Sequence, residues 1–314
     1  MPADLYNLSG KTVFVAGHRG MVGSAIVRRL GSENCTILTA TRSELDLTRQ
    51  SDVERWFAKH RPQAVFLAAA KVGGIYANDK YPADFLFENL MIEANIIKSA
   101  ASHSTEKLLF LGSSCIYPKH AVQPIKESEL LEGALEPTNE WYAIAKIAGI
   151  KLCQSFRKQH GLDFISAMPT NLYGPGDNYH PENSHVMPAL IRKVFEAKAS
   201  GAPSITLWGT GTPRREFLHA DDCADALVFL MKHYSDYEHI NVGSGTDIAI
   251  KDLAHLIAQT AGYNGSIEHD LTKPNGTMRK LMDNAKLAAM SWKPKIDLHA
   301  GVSIIYNEFQ ERHL

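Results

Sequence analysis

A tyrosine and a lysine stand four residues apart in NEWYAIAKIAG, a segment with helical spacing. At that separation the side chains of Tyr142 and Lys146 lie on one face of a helix and can act together. Because a cation beside a phenol favours the phenolate, we expect the pKa of Tyr142 to lie below its usual value. Such a tyrosine can exchange a proton with a carbonyl or alcohol oxygen during hydride transfer. The alternative is a partly exposed tyrosine and lysine without a catalytic role.

Hydroxyl and thiol groups are crowded into LGSSCIYPK, residues 111–119, where a run of apolar residues ends. Cys115 follows Ser113 by two positions in this stretch. A cysteine there is either a small buried hydrophobic residue or a group that transfers protons. The second role needs a thiolate, which a neighbouring cation or dipole must stabilise. The stretch by itself leaves both roles open.

Three glycines, Gly17, Gly20 and Gly23, follow a predicted strand and open a predicted helix in VAGHRGMVGSAIV. This GxxGxxG pattern allows a tight turn, a close approach of the backbone to a pyrophosphate, and close packing of helix on strand. The helix start adds unpaired N–H groups and the positive end of a dipole. A packing turn is the alternative, but the position between strand and helix favours a dinucleotide site.

Arginines, and not an acid, stand at the positions predicted to surround the adenine ribose. The second predicted strand ends with Thr41 and Arg42, and no acid follows until Glu44. Arg19 lies inside the glycine loop. Two guanidinium groups suit a 2′-phosphate, so we expect NADPH/NADP and not NAD. Two solvated surface arginines are the alternative.

Short apolar runs alternate with segments of helical spacing in the first half of the chain. Strands buried on both faces and separated by helices indicate an α/β fold of Rossmann type, with a doubly wound parallel sheet. The predicted strands are 11–17, 35–40, 63–70, 107–114 and 163–174, and the predicted helices are 21–30, 51–60, 83–102 and 141–160.

The composition changes after about residue 174. The stretch GPGDNYHPENSH, residues 174–185, is predicted to form a long ordered loop, and a helix at 187–200 follows it. We expect an NADP-binding domain over residues 1–174 and a smaller α/β lobe, mainly for substrate binding, over residues 175–314. Part of the segment from about 216 to 245 is expected to return to the first domain.

The overall composition is that of a globular protein, with 45% hydrophobic and 21% charged residues. The formal net charge of −1 gives no reason to expect binding to nucleic acid or to an anionic membrane. The four cysteines show neither metal-ligand nor disulfide-framework spacing. No signal-peptide pattern is seen, and no apolar run approaches the roughly 18 residues that span a bilayer. We therefore expect a cytoplasmic protein that binds no metal.

These motifs are more specific together than apart. The glycine pattern, a serine-bearing strand end at Ser113 and the YxxxK pair resemble the extended short-chain dehydrogenase/reductase family over almost the whole chain. The resemblance implies that Ser113 bonds the substrate oxygen, that Tyr142 is the acid and base, and that Lys146 also holds the nicotinamide ribose. ELDL (44–47) matches the family's adenine-contacting acid, and AAAKVGG (68–74) matches the loop beneath the cofactor.

The resemblance implies a full set of cofactor contacts from several elements. They are Gly17, Arg19, Gly20, Met21, Val22, Gly23, Arg42, Asp46, Leu47, Ala69, Tyr142, Lys146, Asn171, Leu172 and His185.

Further stretches narrow the resemblance to the branch of the family that acts on GDP-4-keto-6-deoxy-D-mannose with NADPH. In that branch C3 and C5 are epimerised and the C4 ketone is then reduced. A cysteine and a histidine exchange the C3 and C5 protons, and they correspond to Cys115 and His185. Ser113 and Tyr142 would stabilise the oxyanion at O4 in these steps. The stretches are SSCIYPK, LEPTNEWYAIAKIAGIK, PTNLYGPGDNYHPENSHVMPALIRK, WGTGTPRREFLHADD and KPNGTMRKLMD.

The second lobe offers cations for the substrate diphosphate, namely Arg192, Arg215 and Arg279. Asn171 and Trp208 lie in matching stretches and are expected to contact the sugar or the nucleotide. A purely structural role for each of the five remains open. The family resemblance also implies a homodimer that is formed through the helices predicted at 83–102 and 141–160.

Trp141 and Met278 stand where this branch usually has proline. Trp141 precedes Tyr142 directly, so its bulk bears on substrate preference and not on reaction type. One alternative function is a related nucleotide-sugar 4-epimerase, which needs no Cys115–His185 pair. A 4,6-dehydratase is another, although SSCIY lacks its acid. A non-enzymatic NADP-binding sensor is the third, and such proteins tend to lose the Tyr–Lys pair.

Overall fold

A computed structural model describes residues 4–181, 184–273 and 275–313. The strands are β1 (Thr12–Ala16), β2 (Thr36–Leu38), β3 (Ala64–Leu67), β4 (Lys107–Leu111), β5 (Asp163–Pro169), β6 (Asn171–Tyr173), β7 (Ser204–Trp208), β8 (Arg214–His219), β9 (Ile240–Val242), β10 (Asp247–Ala249), β11 (Ser266–Asp270) and β12 (Arg279–Lys280). The α-helices are α1 (Met21–Leu30), α2 (Gln50–His60), α3 (Ile75–Lys80), α4 (Pro82–Ser102), α5 (Glu140–His160), α6 (Val186–Ser200), α7 (Ala220–His233), α8 (Ile250–Ala261), α9 (Ala285–Ala289) and α10 (Leu298–His313). Short 3₁₀ turns cover Ser114–Ile116, Glu127–Glu129 and Pro137–Asn139.

The main sheet is parallel, with the strand order β2-β1-β3-β4-β5-β9. Helices α1 and α7 cover one face, and α2, α4 and α5 cover the other. Because both faces are covered, β3 and β4 consist entirely of buried residues. The predicted doubly wound parallel sheet is confirmed.

The chain returns to this sheet late, when β9 pairs with β5. Helix α7 packs on α1 and joins it by ion pairs from Arg28 to Asp221 at 2.5 Å and from Arg29 to Asp225 at 2.7 Å. The segment before β9 therefore contributes to the same layer as the glycine loop at the start of α1.

A second set of elements lies beside the main sheet. Strand β8 pairs with β6, β10 and β12, and β7 pairs with β11. Helices α6, α8 and α10 enclose a separate apolar core. The strands β6 and β12 carry predicted site residues, and both lie directly beside β8.

All five predicted strands are longer than the strands that form. The segment 163–174 divides at Thr170, because β5 pairs within the main sheet whereas β6 turns to pair with β8. The segment 107–114 ends at Leu111, because the following residues form a 3₁₀ turn. The segment 35–40 contributes only Thr36–Leu38. Part of the predicted loop 174–185 lies outside the described residues. Within the described residues, no helix is both long and apolar enough to cross a membrane.

Candidate active site

The glycine loop between β1 and α1 is packed too closely to hold side chains at two of its positions. Gly17 has φ +86°, and a Cβ atom there would lie 2.8 Å from the backbone of Ala69. A Cβ atom on Gly23 would lie 2.1 Å from the carbonyl oxygen of Gly17. Helix α1 begins after Gly20 without a side-chain cap and without an acid in its first turn. Its first N–H groups and its dipole are therefore available to an anion, and the loop fits a pyrophosphate.

The two arginines predicted at the adenine ribose, Arg19 and Arg42, are both exposed. Glu44 accepts hydrogen bonds from the Thr41 backbone N–H and hydroxyl, both at 2.8 Å. This acid therefore serves the turn after β2, where a ribose-binding acid often stands in NAD-binding proteins.

Asp46 caps its own turn by accepting hydrogen bonds from the Thr48 N–H at 3.0 Å and hydroxyl at 2.7 Å. These bonds lower the pKa of Asp46, with a smaller contribution from Arg42, so the carboxylate is ionised. The backbone oxygen of the next residue, Leu47, accepts a bond from Asn95 at 2.9 Å. The turn at Asp46 is thus fixed at the β2 edge of the main sheet, next to the strand that leads into the glycine loop.

The other predicted cofactor residues are partly buried. Met21 and Val22 open α1 and pack against the core of the main sheet, as Leu172 does from β6. Asn171 donates its side-chain N–H to the backbone oxygen of Glu216 at 2.8 Å, which ties β6 to β8.

A hydroxyl cluster forms where β4 ends. Ser113 caps the 3₁₀ turn by accepting a bond from the Cys115 backbone N–H at 3.3 Å, and it is hydrogen-bonded to the hydroxyl of Tyr142. The Nζ atom of Lys146 lies 5.8 Å from the centroid of the Tyr142 ring and donates to the Leu111 carbonyl at 3.1 Å. The structure therefore brings Ser113, Tyr142 and Lys146 together.

The predicted lowering of the Tyr142 pKa is wrong. Burial raises the pKa of this phenol, and the charges of Cys115 and Glu93 raise it further. The hydrogen bond from Ser113 opposes these effects without reversing them. The Lys146 cation alone does not set this pKa, because desolvation of the phenol dominates and the Glu93 carboxylate lies beside the lysine. The phenol is therefore protonated at neutral pH.

The Cys115 thiol lines a cleft between the segment after β4 and strand β12. Its Sγ atom is 3.5 Å from the side-chain nitrogen of Asn139 and 3.8 Å from the Nζ atom of Lys280. A cation at this distance is the neighbour that a reactive thiolate needs. The same cleft is lined by Tyr117, Pro118, Lys119, Gln123, Ile125, Glu136, Thr277 and Arg279.

His185 occupies the residue before α6 and is exposed to water on one side. Protein atoms crowd its other side, and this partial burial lowers its pKa. The imidazole is therefore neutral at neutral pH. Among the described residues no hydrogen bond joins His185 to Cys115, so the structure shows each group without showing them as a pair.

Strands β8 and β12 place two cations side by side. Arg215 and Lys280 are register partners, so their side chains project from the same face of the sheet. Arg215 donates one N–H to the Arg214 carbonyl at 2.8 Å, and burial lowers its pKa. Because Lys280 reaches Cys115, Arg215 lies on the face that carries the thiol.

Arg279 is held by an acid of the same sheet. Asp247 accepts from the Nε atom of Arg279 at 2.5 Å and from the Nε atom of Arg214 at 2.8 Å. The paired guanidiniums lower the pKa of Asp247 against the effect of burial. Arg279 also lines the Cys115 cleft, so Asp247 fixes a cation at its rim.

Arg192 and Trp208 lie elsewhere in the second set of elements. Arg192 on α6 pairs with Glu196 at 2.6 Å and donates to the Tyr179 carbonyl at 3.1 Å. Trp208 ends β7 with 63% of its surface exposed, and the Nζ atom of Lys273 lies 5.5 Å from its ring centroid. No described contact joins Arg192 or Trp208 to the thiol cleft.

Comparison with known proteins agrees with this arrangement. Residues 13–243 match the NAD dependent epimerase/dehydratase family, and the match includes the glycine loop and the Tyr142–Lys146 pair. The chain belongs to this family. The predicted membership of the extended short-chain dehydrogenases/reductases is thereby confirmed.

Within the family, the chain is 58% identical to a GDP-L-fucose synthase of Sinorhizobium fredii, over 97% of each chain. It is 54% identical to the GDP-L-fucose synthase of Escherichia coli, over 97% of this chain and 98% of that protein. A solved structure of a GDP-L-fucose synthetase from Naegleria fowleri bound to NADP has a TM-score of 0.89 at 26% identity, covering 99% of this chain and 97% of that one. A GDP-6-OMe-4-keto-L-xylo-heptose reductase from C. jejuni has a TM-score of 0.91 at 33% identity, covering 99% and 100%.

Three residues of the candidate active site were not predicted from the sequence. Lys280 follows Arg279 in a quoted motif, so a search for cations near the thiol would have found it. Asn139 precedes the YxxxK helix and had no pattern of its own. Glu93, which contacts Lys146, is an acid inside a long helix, and only the packing of α4 on α5 makes it part of the site.

Proposed function

We propose that the protein converts GDP-4-keto-6-deoxy-D-mannose to GDP-L-fucose with NADPH, by epimerisation at C3 and C5 followed by reduction of the C4 ketone. One observation carries the proposal. Ser113, which contacts Tyr142 of the Tyr142–Lys146 pair, and Cys115 lie on the same short segment after β4, so one bound sugar can meet both the hydroxyl cluster and the thiol. Relatives at 54% to 58% identity that carry the name GDP-L-fucose synthase support it.

The cofactor is NADPH, which when bound supplies the hydride to C4. The glycine loop fits its pyrophosphate, because the tight packing at Gly17 and Gly23 lets the loop lead directly into the uncapped start of α1. Arg19 and Arg42 would bind the 2′-phosphate, and Asp46 would contact the adenine side. Lys146 would hold the nicotinamide ribose from its position beneath Tyr142.

Epimerisation requires a proton to leave a carbon next to the ketone and another to arrive on the opposite face. Cys115 and His185 would divide these tasks, one removing the proton and the other delivering it. Lys280 would stabilise the Cys115 thiolate, which would take the proton from carbon. The neutral His185 would deliver its N–H proton to the opposite face while its other ring nitrogen takes a proton from water, to which His185 is exposed. As each C–H bond breaks, its electron pair moves into an enolate, and Ser113 and Tyr142 would donate hydrogen bonds to O4.

Reduction then uses the same hydroxyl pair. The hydride adds to C4, the C=O bond becomes a C–O single bond, and the oxygen must gain a proton. Tyr142 would donate this proton, because its phenol is protonated at neutral pH. Ser113 would orient O4 towards Tyr142. The raised pKa of Tyr142 therefore suits a reductase, which begins its chemical step with an acid.

The remaining proposed contacts bind the diphosphate, the nucleotide and the sugar of the substrate. Arg215 and Arg279 would bind the diphosphate, with Arg279 held by Asp247. Arg192, Trp208 and Asn171 are proposed to contact the nucleotide or sugar from neighbouring elements.

The first experiment combines the purified protein with NADPH and GDP-4-keto-6-deoxy-D-mannose in D₂O. We expect NADPH absorbance to fall and GDP-L-fucose to form with deuterium at C3 and C5. Consumption of NADPH with an unepimerised 6-deoxy sugar as product would leave the reductase cluster in place and remove Cys115 and His185 from the mechanism. Absence of turnover with this sugar would overturn the proposed function.

A homodimer formed through α4 and α5 belongs to the same proposal. Phe87 on α4 and Trp141 and Ile144 on α5 are large apolar side chains with 62%, 42% and 36% of their surface exposed. Exposed apolar groups on two packed helices favour an interface between subunits. Light scattering after size exclusion should give twice the chain mass, and Phe87→Glu should give the single-chain mass. A cytoplasmic location is also proposed, on the basis of four free cysteines.

A further inference from the structure

Glu93 is a fully buried acid that the reaction as derived above does not use. It lies on α4 with 0% of its surface exposed, opposite Lys146 on α5, which is 2% exposed. Its Oε1 atom is 2.9 Å from the Nζ atom of Lys146. Elsewhere in the described chain, no donor forms a hydrogen bond to either carboxylate oxygen. A buried carboxylate with one ionic partner is costly to retain for stability alone.

The packing of α4 on α5 makes room for this carboxylate. A Cβ atom on Gly149 would lie 2.8 Å from the Oε2 atom of Glu93, so only glycine allows the close approach. The ring of Phe110 lies on another side of the ammonium, with its centroid 4.7 Å from Nζ. Lys146 is therefore enclosed by a carboxylate, a carbonyl and an aromatic ring, out of contact with water.

Few charged or titratable groups surround the pair. Besides Lys146, helix α5 presents Cys153 to Glu93, and the carboxylate raises the pKa of that thiol after the larger effect of burial. Tyr142 is the third such group of α5, and the charge of Glu93 adds to the larger effect of burial in raising its pKa. On its other side, Tyr142 faces Ser113 and Cys115 from the 3₁₀ turn after β4.

We propose that Glu93 is a positioning residue for reduction: it fixes the Lys146 ammonium and offsets its charge, so that Tyr142 acts as a proton-donating phenol. This inference rests on the proposed roles of Tyr142 and Lys146. A lysine without a counter-charge would favour the phenolate, which cannot protonate O4. A carboxylate at 2.9 Å makes the Glu93–Lys146 pair neutral. The Glu93–Lys146 ion pair thus allows the reaction to begin with a protonated Tyr142, as reduction of a ketone requires.

Burial raises the pKa of Glu93, and Lys146 opposes that effect. The charge of Glu93 therefore matters most on the basic side of the pH profile, where the carboxylate is ionised. Reduction needs the phenol, so its rate is full below the pKa of Tyr142 and declines as the pH rises through it. Removing the negative charge lowers that pKa and moves the decline to lower pH.

The test is the pH profile of NADPH oxidation by Glu93→Gln with GDP-4-keto-6-deoxy-D-mannose. We expect the basic decline to begin about one pH unit or more below that of the unaltered protein, with a smaller loss of rate at lower pH. Glu127→Gln is the matched control, because Glu127 is another buried glutamate that pairs with a lysine, Lys286 at 3.7 Å, and lies outside the site. Its profile should not shift. An unshifted profile for Glu93→Gln, whatever its rate, would overturn the proposal.

A second measurement does not depend on turnover. Ultraviolet difference absorbance follows tyrosinate formation with pH, and the signal of Tyr142 is the part that Tyr142→Phe removes. In Glu93→Gln this part should appear at lower pH, and an unchanged titration would contradict the charge-offset role. If the unaltered protein fails to turn over the sugar, the proposed function fails while this titration still tests Glu93. Should Glu93→Gln not fold, Glu93→Asp retains the charge one methylene farther away and should give a smaller shift in the same direction.

Discussion

The Nζ atom of Lys280 lies 3.8 Å from the Sγ atom of Cys115, although the two residues are 165 positions apart in the chain. Strand β12 carries the lysine along β8 and over the segment after β4. The contact gives the thiol a cationic neighbour, whereas Lys119 of its own sequence stretch pairs with Glu136. It turns a cysteine that would pass as a small hydrophobic residue into a candidate for proton transfer.

Replacing this lysine should slow the reactions of the Cys115 thiol. Lys280→Met removes the ammonium that lies 3.8 Å from the Cys115 Sγ atom. Alkylation by iodoacetamide at neutral pH should then slow by about tenfold, since only the thiolate reacts. Lys119→Met is the control, because Lys119 lines the same cleft but pairs with Glu136. Equal alkylation rates in the two variants would contradict the role of Lys280.

Cys115→Ser should separate the two chemistries. A serine hydroxyl is far less acidic than a thiol, so we expect exchange at C3 and C5 to fall by about 10²- to 10⁴-fold. Hydride transfer should fall much less, because Ser113, Tyr142 and Lys146 are unchanged. Deuterium incorporation from D₂O and NADPH oxidation measure the two steps separately. Unimpaired epimerisation would exclude Cys115 from the mechanism.

Arg215→Met should weaken binding of the nucleotide sugar. Loss of a charge-assisted contact to the diphosphate is expected to raise KM by about 10- to 100-fold and to leave NADPH affinity unchanged. Initial rates at varied sugar concentration and a fluorescence titration with NADPH test the two halves of this statement. Arg157→Met serves as control, because Arg157 pairs with Asp163 at 2.6 Å and is remote from the cleft. If KM for the sugar does not change, Arg215 is structural.

Cofactor preference should depend on the two exposed arginines. In the double variant Arg19→Ala/Arg42→Ala, we expect KM for NADPH to rise by about tenfold or more, whereas KM for NADH should change little. The reason is that only NADPH carries the 2′-phosphate. Arg55→Ala, on the outer face of α2, removes an exposed arginine that pairs with Asp52 and should not affect either value. If KM rose equally for NADPH and NADH, the two arginines would act through general electrostatics and not through the 2′-phosphate.

The fold and the reactive groups could be predicted from local pattern. Strands buried on both faces produce continuous apolar runs, so the sequence predicts a parallel sheet without information on which strands pair. The glycines could be identified because backbone geometry forbids a side chain at Gly17 and Gly23. Strand ends were less predictable, because the division at Thr170 depends on which sheet each half joins.

The sequence by itself determined the chemistry that is possible, since residue type and helical spacing are local properties. It placed Tyr142 and Lys146 on one face of a helix and put Ser113 and Cys115 two positions apart where a run of apolar residues ends. Only the tertiary structure decided the charge state of these groups, because pKa depends on burial and on neighbours that are distant in the chain. Glu93 reaches Lys146 from another helix, and burial reverses the predicted shift of Tyr142.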